Sequence, residues 1–422
     1  MRLVFAAVFA LLSSPALADD MPGMGGMNMS GMDSMPEMAS SGVLGPYPMT
    51  REASGTSWQP DAAAHHGIHL MAGDWMFMLH ARVLGIYDTQ SGPRGDDESF
   101  GTGMLMGAAR RDFASGDTLS FRAMLSLDPF MGRRGYPLLL QTGETGDGVT
   151  PLVDRQHPHD LLMELSASYG HRLSDDSSVF VYFGYPGEPA LGPTAMMHRV
   201  SAQDIPSAPI THHWLDSTHV TFGVVTAGLV EGDWKLEASQ FTGREPDQFR
   251  FNFDPARFDS TSVRLSWNPD PHWSLQASWG YLKSPEQLEP AVNENRYTAS
   301  ATYFTPLDGD GSFAATLAFG RKQLSTGVGE NGFLAETEYK PADAWTLFAR
   351  AEAVESGELF PAAGVKTAEE LTLGAIHDWR VGEHAKFGLG GLYTFDFVPG
   401  TPTPSYGGDP HGAMVFLRLI AE

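Results

Sequence analysis

The stretch HWSLQASWGY, residues 272–281, alternates between large apolar side chains and polar or small ones. Similar alternation recurs at residues 263–268, 344–351 and 386–395. Successive side chains of a β-strand point to opposite faces, so a period of two predicts strands with one apolar face and one mixed or polar face. No helical pattern of comparable strength competes with it. The sequence therefore predicts an all-β fold.

Sixteen candidate strands show this pattern along the chain. They are predicted at about 73–87, 99–114, 118–128, 160–171, 177–185, 216–230, 233–243, 260–268, 272–283, 296–305, 312–323, 332–340, 344–355, 367–379, 384–397 and 411–420. Short connections such as 115–117 and 175–176 alternate with long ones such as 129–159 and 186–215. Short periplasmic turns alternating with longer external loops are typical of outer-membrane barrels. We predict an antiparallel up-and-down β-barrel of sixteen strands, or of fourteen or twelve if some segments belong to loops.

The alternative architecture is a periplasmic β-sandwich or propeller. A propeller requires a repeat of about 40–50 residues, and the sequence shows none. In a barrel, the apolar phase of each strand faces lipid and the polar phase faces the lumen. The side chains expected to face the lumen, mostly as ion pairs of its wall, are His80, Arg82, Arg122, Glu164, His219, Glu237, Arg264, Arg350 and Glu352.

Three regions divide the chain. Residues 1–18 combine a positive Arg2, an apolar run and a small-residue cleavage site at Ala16–Ala18, which predicts a secretory signal peptide. Residues 19–60 are of low complexity and are predicted to form a disordered, methionine-rich periplasmic tail. Residues 61–422 are predicted to form a transmembrane barrel in a bacterial outer membrane, with membrane lipid as its partner.

The composition excludes several classes of protein. Lys and Arg number 27 against 51 Asp and Glu, so the formal charge is −24, and the 422 residues include no cysteine. A chain so acidic is a poor partner for nucleic acid, whose phosphates require a Lys/Arg surface. Without cysteine there are no disulfides, thiolate metal sites or cysteine nucleophiles.

The predicted tail and the segment after it carry soft and imidazole ligands. The side chains in question are Met21, Met24, Met27, Met29, Met32, Met35, Met38, His65, His66 and His69. Thioethers are soft, neutral ligands suited to Cu(I) and Ag(I). We predict capture of copper or silver ions here; the alternative is a solubilising linker.

A second group of histidines lies in or beside the second and third long loops. It comprises His157, His159, His198, His212, His213 and His219, accompanied by Met196, Met197, Asp160 and Asp216. Imidazole suits Cu(II), Zn(II) and Ni(II), so these side chains predict a metal site near the external mouth of the pore. The alternative is that they only shape turns and pack a folded loop. The HExxH pattern of a metalloprotease is absent.

Several motifs resemble those of known proteins. The Met21–Met38 leader is similar to the leaders of bacterial copper-resistance proteins, loosely including the outer-membrane copper-resistance protein B family. The motifs at residues 156–160, 197–199, 208–219 and 243–247 resemble bacterial outer-membrane β-barrel proteins associated with copper and heavy-metal resistance. The resemblance implies copper binding or copper tolerance, and periplasmic copper proteins as partners; it transfers no individual ligand.

Three functions are compatible with these features. The first is copper binding, tolerance or efflux, with the tail capturing Cu(I) and a histidine-rich site on the external side. The second is a general or cation-preferring porin, because the acidic balance repels anions. The third, which we do not expect, is an enzyme using a pair such as Ser217 and His219, since no GxSxG motif is present.

Overall fold

The computed structural model describes residues 41–64, 67–400 and 403–422. The predicted signal peptide, residues 19–40 with their seven methionines, and His65 and His66 lie outside the described residues. In the described chain, no helix is both long and apolar enough to cross a membrane.

Sixteen of the strands in the described residues pair with their neighbours in a closed antiparallel ring. They are β2 (Trp75–Gln90), β3 (Asp97–Asp112), β4 (Thr118–Ser126), β7 (Leu162–Arg172), β8 (Ser177–Gly184), β9 (Val224–Glu231), β10 (Trp234–Phe241), β11 (Ser260–Trp267), β12 (Trp273–Leu282), β13 (Glu294–Pro306), β14 (Ser312–Leu324), β15 (Gly329–Ala342), β16 (Trp345–Ser356), β17 (Lys366–Gly382), β18 (Ala385–Phe397) and β19 (His411–Ala421). The last strand closes onto the first, with Met414 opposite Asp88. The prediction of a sixteen-stranded barrel is confirmed.

Three further strands were not predicted. β1 (Ile68–Ala72) pairs antiparallel with the short-turn end of β2, and β5 (Tyr136–Thr145) pairs with β6 (Pro151–Gln156) in a separate hairpin. One predicted strand was too long: the segment 216–230 is a strand only from Val224, and His219 ends a 3-10 turn instead. Its expected position on a strand was therefore wrong.

The two faces of the wall are inverted relative to a soluble protein. On β10, Trp234 and Leu236 are 45% and 52% exposed, whereas Lys235 and Glu237 are buried. Arg264 on β11 lies opposite Glu237, and its Nε donates to the Glu237 carboxylate at 2.9 Å. Outward apolar side chains and inward charges are the pattern of a barrel whose outside meets lipid.

The N-terminal lumen segment, residues 41–64, corrects the prediction of a disordered tail reaching residue 60. Leu44, Tyr47 and Trp58 are buried against Phe180 and Val230 of the wall. The Tyr47 and Trp58 rings meet edge to face at 5.0 Å, a contact worth about 0.5–1.5 kcal/mol beyond the area it buries. A low-complexity segment becomes ordered here because its few aromatic side chains find a preformed apolar surface.

Two further elements enter the lumen from the long-loop side. The lumen loop, residues 185–223, and the lumen hairpin, β5 with β6, are buried over most of their length. Arg199 of the lumen loop pairs with Glu336 of β15 and lies 3.1 Å from Asp216. Wall cations such as Arg264 and Arg350 are 1% exposed. The lumen is thus largely packed with protein.

Replacing Gly170 by valine will displace the N-terminal lumen segment. Gly170 lies on β7, and a Cβ atom there would come 2.4 Å from the Val43 carbonyl oxygen. The shift will expose Arg51, which is now buried, so trypsin will cleave after it. Gly85→Val is the matched control, since a Cβ at Gly85 meets nothing within 4 Å. Equal cleavage after Arg51 in the two variants would contradict the packing described.

Candidate functional site

The site is held by a short helix of the lumen loop, His212–Leu215. Trp214 and Leu215 are buried in an apolar cluster with Leu334 and Val354 of the wall. The Trp214 ring lies over Gly332, where a Cβ would approach it to 2.8 Å. This anchor directs the preceding residues, His212 and His213, toward the segment that joins β6 to β7.

Five imidazoles come together there among the described residues. The histidine cluster consists of His157, His159, His212, His213 and His219. Its neighbouring ring centroids are 5.0 Å apart for His159 and His219, 5.1 Å for His212 and His219, 5.4 Å for His212 and His213, 5.8 Å for His157 and His213, 5.9 Å for His157 and His159, and 6.1 Å for His157 and His212. Rings bound to one tetrahedral ion through nitrogens about 2.0–2.1 Å away would have centroids about 5 Å apart. The pairs His159–His219 and His212–His219 match that spacing, whereas the three distances to His157 exceed it.

The Nδ1 atom of each ring faces an oxygen atom. The distances are 3.3 Å from His157 to Glu144, 2.6 Å from His159 to Asp128, 2.8 Å from His212 to Asp216, 3.3 Å from His213 to Glu245, and 2.7 Å from His219 to the Asp216 carbonyl. At His159, His212 and His219 a proton on Nδ1 satisfies the acceptor and leaves the Nε2 lone pair free. Metal-binding histidines are held by carboxylates and carbonyls in this way.

The Nε2 atoms of the five rings differ in their partners. Those of His157, His212 and His213 are buried without a hydrogen-bond partner among the described residues. Those of His159 and His219 lie 3.0 Å apart. Two nitrogens on one tetrahedral ion would be separated by about 3.3 Å, given bonds of about 2.0–2.1 Å. Buried nitrogens without a partner are costly, and a cation bound between His159 and His219 would add a favourable contact for each nitrogen within its reach.

Burial keeps most of these rings neutral. It lowers the pKa of His157 and His219 well below the usual histidine value, and lowers that of His212 despite the Asp216 carboxylate. Neutral imidazole is the form that binds metal. The pattern indicates rings available as ligands at neutral pH.

A carboxylate group adjoins the cluster at His213. Ligand atoms of His213, Glu245 and Glu286 all lie within 4.8 Å of one another. Burial opposes charge on His213, but the Glu245 carboxylate raises its pKa to about 9. The ring packs closely on Gly143 of the lumen hairpin, where φ is +103° and a Cβ would come 2.4 Å from Nε2. Imidazole and carboxylate here form a second candidate set of ligands, in which His213 must release a proton to bind a metal.

The other predicted residues have different surroundings. His198 lines a small cavity with Met197, Glu188 and His219, and His69 lies on β1. Asp160 pairs with Arg250 at 3.4 Å and Asp216 supports His212, so neither points into the cluster as a ligand. The cluster is buried within the lumen, not exposed at its mouth.

The serine considered for catalysis has another partner. The Ser217 hydroxyl accepts a hydrogen bond from Arg296 at 2.9 Å. His219 faces the Asp216 carbonyl and His159, so the described structure shows no hydrogen bond between Ser217 and His219.

The residues that sequence reasoning missed are the carboxylates behind the rings: Asp128, Glu144, Glu245 and Glu286. Glu245 lies in the 243–247 motif, whose family resemblance could have drawn attention to it. Asp128, Glu144 and Glu286 lie in segments without a recognisable pattern. Asp128 also accepts from the Thr102 hydroxyl at 2.5 Å, which fixes its orientation toward His159.

Comparison with known proteins reveals similarity at the level of the fold. No protein-family model and no curated protein matches the chain. OmpF of Salmonella typhi, in complex with daunomycin, is 10% identical with a TM-score of 0.54, covering 84% of this chain and all of its own. This chain has a porin-type barrel fold.

Two further structures are similar at lower scores. The anion-selective porin of Comamonas acidovorans is 11% identical, with a TM-score of 0.48 and coverage of 82% of this chain and 99% of its own. OmpT of Vibrio cholerae is 8% identical, with a TM-score of 0.47 and coverage of 84% and 100%. At such identities the likeness concerns fold alone, and the resemblance to copper-resistance proteins stays a prediction.

Proposed function

We propose that the chain is an outer-membrane barrel that binds a transition-metal cation in its lumen. The observation that carries this is the histidine cluster, in which oxygens accept from the Nδ1 atoms of His159, His212 and His219, and the Nε2 atoms of His159 and His219 lie 3.0 Å apart. A bound cation would give a partner to buried ring nitrogens that have none among the described residues. The outward apolar face of the strands supports the membrane location.

Copper is the first candidate cation. Neutral imidazole with nearby carboxylate suits Cu(II), Zn(II) and Ni(II), and sites of this kind bind Cu(II) most tightly among the divalent first-row metals. The methionine-rich leader and the resemblance of the motifs to copper-resistance proteins lead us to expect copper binding. Capture of Cu(I) by residues 19–40 and delivery by periplasmic copper proteins remain parts of this proposal.

The test is metal binding by the full chain folded in detergent. Co(II) will give the visible absorption of a low-coordinate, nitrogen-rich site, and Cu(II) or Zn(II) will displace it. Elemental analysis after removal of excess Cu(II) will show at least one ion retained per chain. Absence of both the cobalt spectrum and retained copper would refute the proposal.

A porin for small solutes is the second candidate. The fold shared with OmpF and the formal charge of −24 favour it, with a preference for cations. The packed lumen argues against wide, permanent opening. Planar-bilayer recording distinguishes the two: a large, steady ohmic current from the unmodified protein would favour the general porin.

A further inference from the structure

Methionines of the described residues concentrate on one side of the lumen. A cavity of about 150 Å³ between the N-terminal lumen segment and the wall is lined by Met49, Met76, Met78, Met104, Met106 and Met197. Of the methionines in the described chain, all but Met71, Met131 and Met414 line this cavity or one of two smaller cavities beside it. Imidazoles of His69, His80 and His198 share the same lining.

The barrel register sets these donors side by side. His80 on β2 lies opposite Met106 on β3, Met106 lies opposite Met124 on β4, and Met124 lies opposite Glu164 on β7. Directly opposite residues of antiparallel strands have Cβ atoms about 4.5–5.5 Å apart. Met106 of the first cavity therefore lies between the His80 imidazole and the thioether of Met124, which lines a smaller adjoining cavity.

The methionines also continue to the histidine cluster. A second cavity of about 110 Å³ shares Met104 and Met197 with the first and adds Met163, Met196 and His159. A smaller one is lined by Met124, Met197 and His219. At the other end, Met76 lies opposite Arg110, close to the short turn that joins β3 to β4. The donors thus extend from the short-turn end of the wall to the cluster.

We propose that this methionine-lined cavity binds a soft monovalent cation, Cu(I) or Ag(I), and links the short-turn end of the lumen to the histidine cluster. Thioether sulfur is a neutral, soft ligand that selects such ions over hard ones. Methionine also serves as flexible filling in protein cores, but here its side chains border unfilled space and alternate with imidazoles. The link to the histidine cluster rests on the function proposed above. Binding of a soft cation at the thioethers does not depend on it.

The first experiment uses the unmodified full chain labelled with [methyl-¹³C]methionine and titrated with Ag(I). Silver will shift the ε-methyl resonances of Met106 and Met124, and leave that of Met414 unmoved. Resonances are assigned with single Met→Leu variants, since such swaps conserve volume. If Met106 and Met124 do not shift while tail methionines do, the cavity does not bind silver and the proposal is wrong.

The second experiment compares variants. Met106→Leu with Met124→Leu will reduce tightly bound Ag(I) by about one equivalent, whereas Met131→Leu with Met414→Leu will not. Co(II) absorption will be unchanged in both, because it reports the histidine cluster. Equal silver in the two double variants would overturn the thioether site. If the unmodified chain binds silver at Met106 and Met124 but gives no Co(II) spectrum, the histidine site is refuted and the thioether site is not.

Discussion

Replacing Arg199 by alanine will open the lumen to ions. Arg199 is 1% exposed, pairs with Glu336 on the wall, contacts Asp216 at 3.1 Å and donates to the Thr194 carbonyl at 2.8 Å. Without it, two carboxylates lose their cation inside the lumen. Leaving such charges uncompensated costs about 3–5 kcal/mol.

The lumen loop can relieve that cost by moving into water, because Asp216 leaves with it and Glu336 becomes hydrated. A change of about 3 kcal/mol favours the displaced loop by more than about 100-fold relative to the unmodified protein. Planar-bilayer recording will therefore show a larger and more frequent conductance for Arg199→Ala than for the unmodified chain.

Arg172→Ala is the matched control, since Arg172 lies at an exposed turn and pairs with Asp175. Its conductance will equal that of the unmodified protein. Arg199→Ala combined with Glu336→Ala will open less often than Arg199→Ala, because one uncompensated charge has gone. If Arg199→Ala conducts no better than Arg172→Ala, the loop does not depend on this ion pair.

Replacing His159 and His219 together by alanine will weaken Cu(II) and Co(II) binding by more than about 100-fold. Losing a group behind a ligand already costs about 10–100-fold in metal affinity, and these two rings are placed to be ligands themselves. The variant removes the two nitrogens that lie 3.0 Å apart. Competition titration against a chelator will measure the change.

Two further variants test whether the loss of affinity is specific to the histidine cluster. Asp128→Asn keeps both rings but removes the carboxylate 2.6 Å from His159, so it will cost about 10–100-fold. His171→Ala with His384→Ala removes two exposed imidazoles and will leave affinity unchanged. If the exposed pair mattered as much as His159 and His219, binding would be a property of surface histidines.

The wall of this protein could be predicted because its signal is local. Alternation at residues 272–281 recurs in every wall strand, and each predicted strand corresponds to one in the structure. The lumen hairpin was not predicted because β5 is buried on both faces and shows no alternation of apolar and polar side chains. The prediction for residues 41–60 failed because a few aromatics in a polar segment reveal no partner until the wall exists.

The histidine site, too, was predicted from the sequence only in part. Their density in two long loops marked a site, and five of the six loop residues converge in the described structure. The sequence did not show that the cluster is buried inside the lumen. Nor did it show that His198 lies outside the five contacting rings, or that Asp128 and Glu144 lie behind two of them.

The sequence by itself determined an antiparallel barrel wall with an apolar outside and a charged inside, and favoured sixteen strands over fourteen or twelve, since period-two patterning acts between neighbouring residues. Only the tertiary structure decided what fills the lumen and which nitrogens face one another. Those arrangements depend on contacts between residues far apart in the chain, such as Arg199 with Glu336. Burial makes each such polar group require a specific partner, and closure of the barrel determines which partners are within reach.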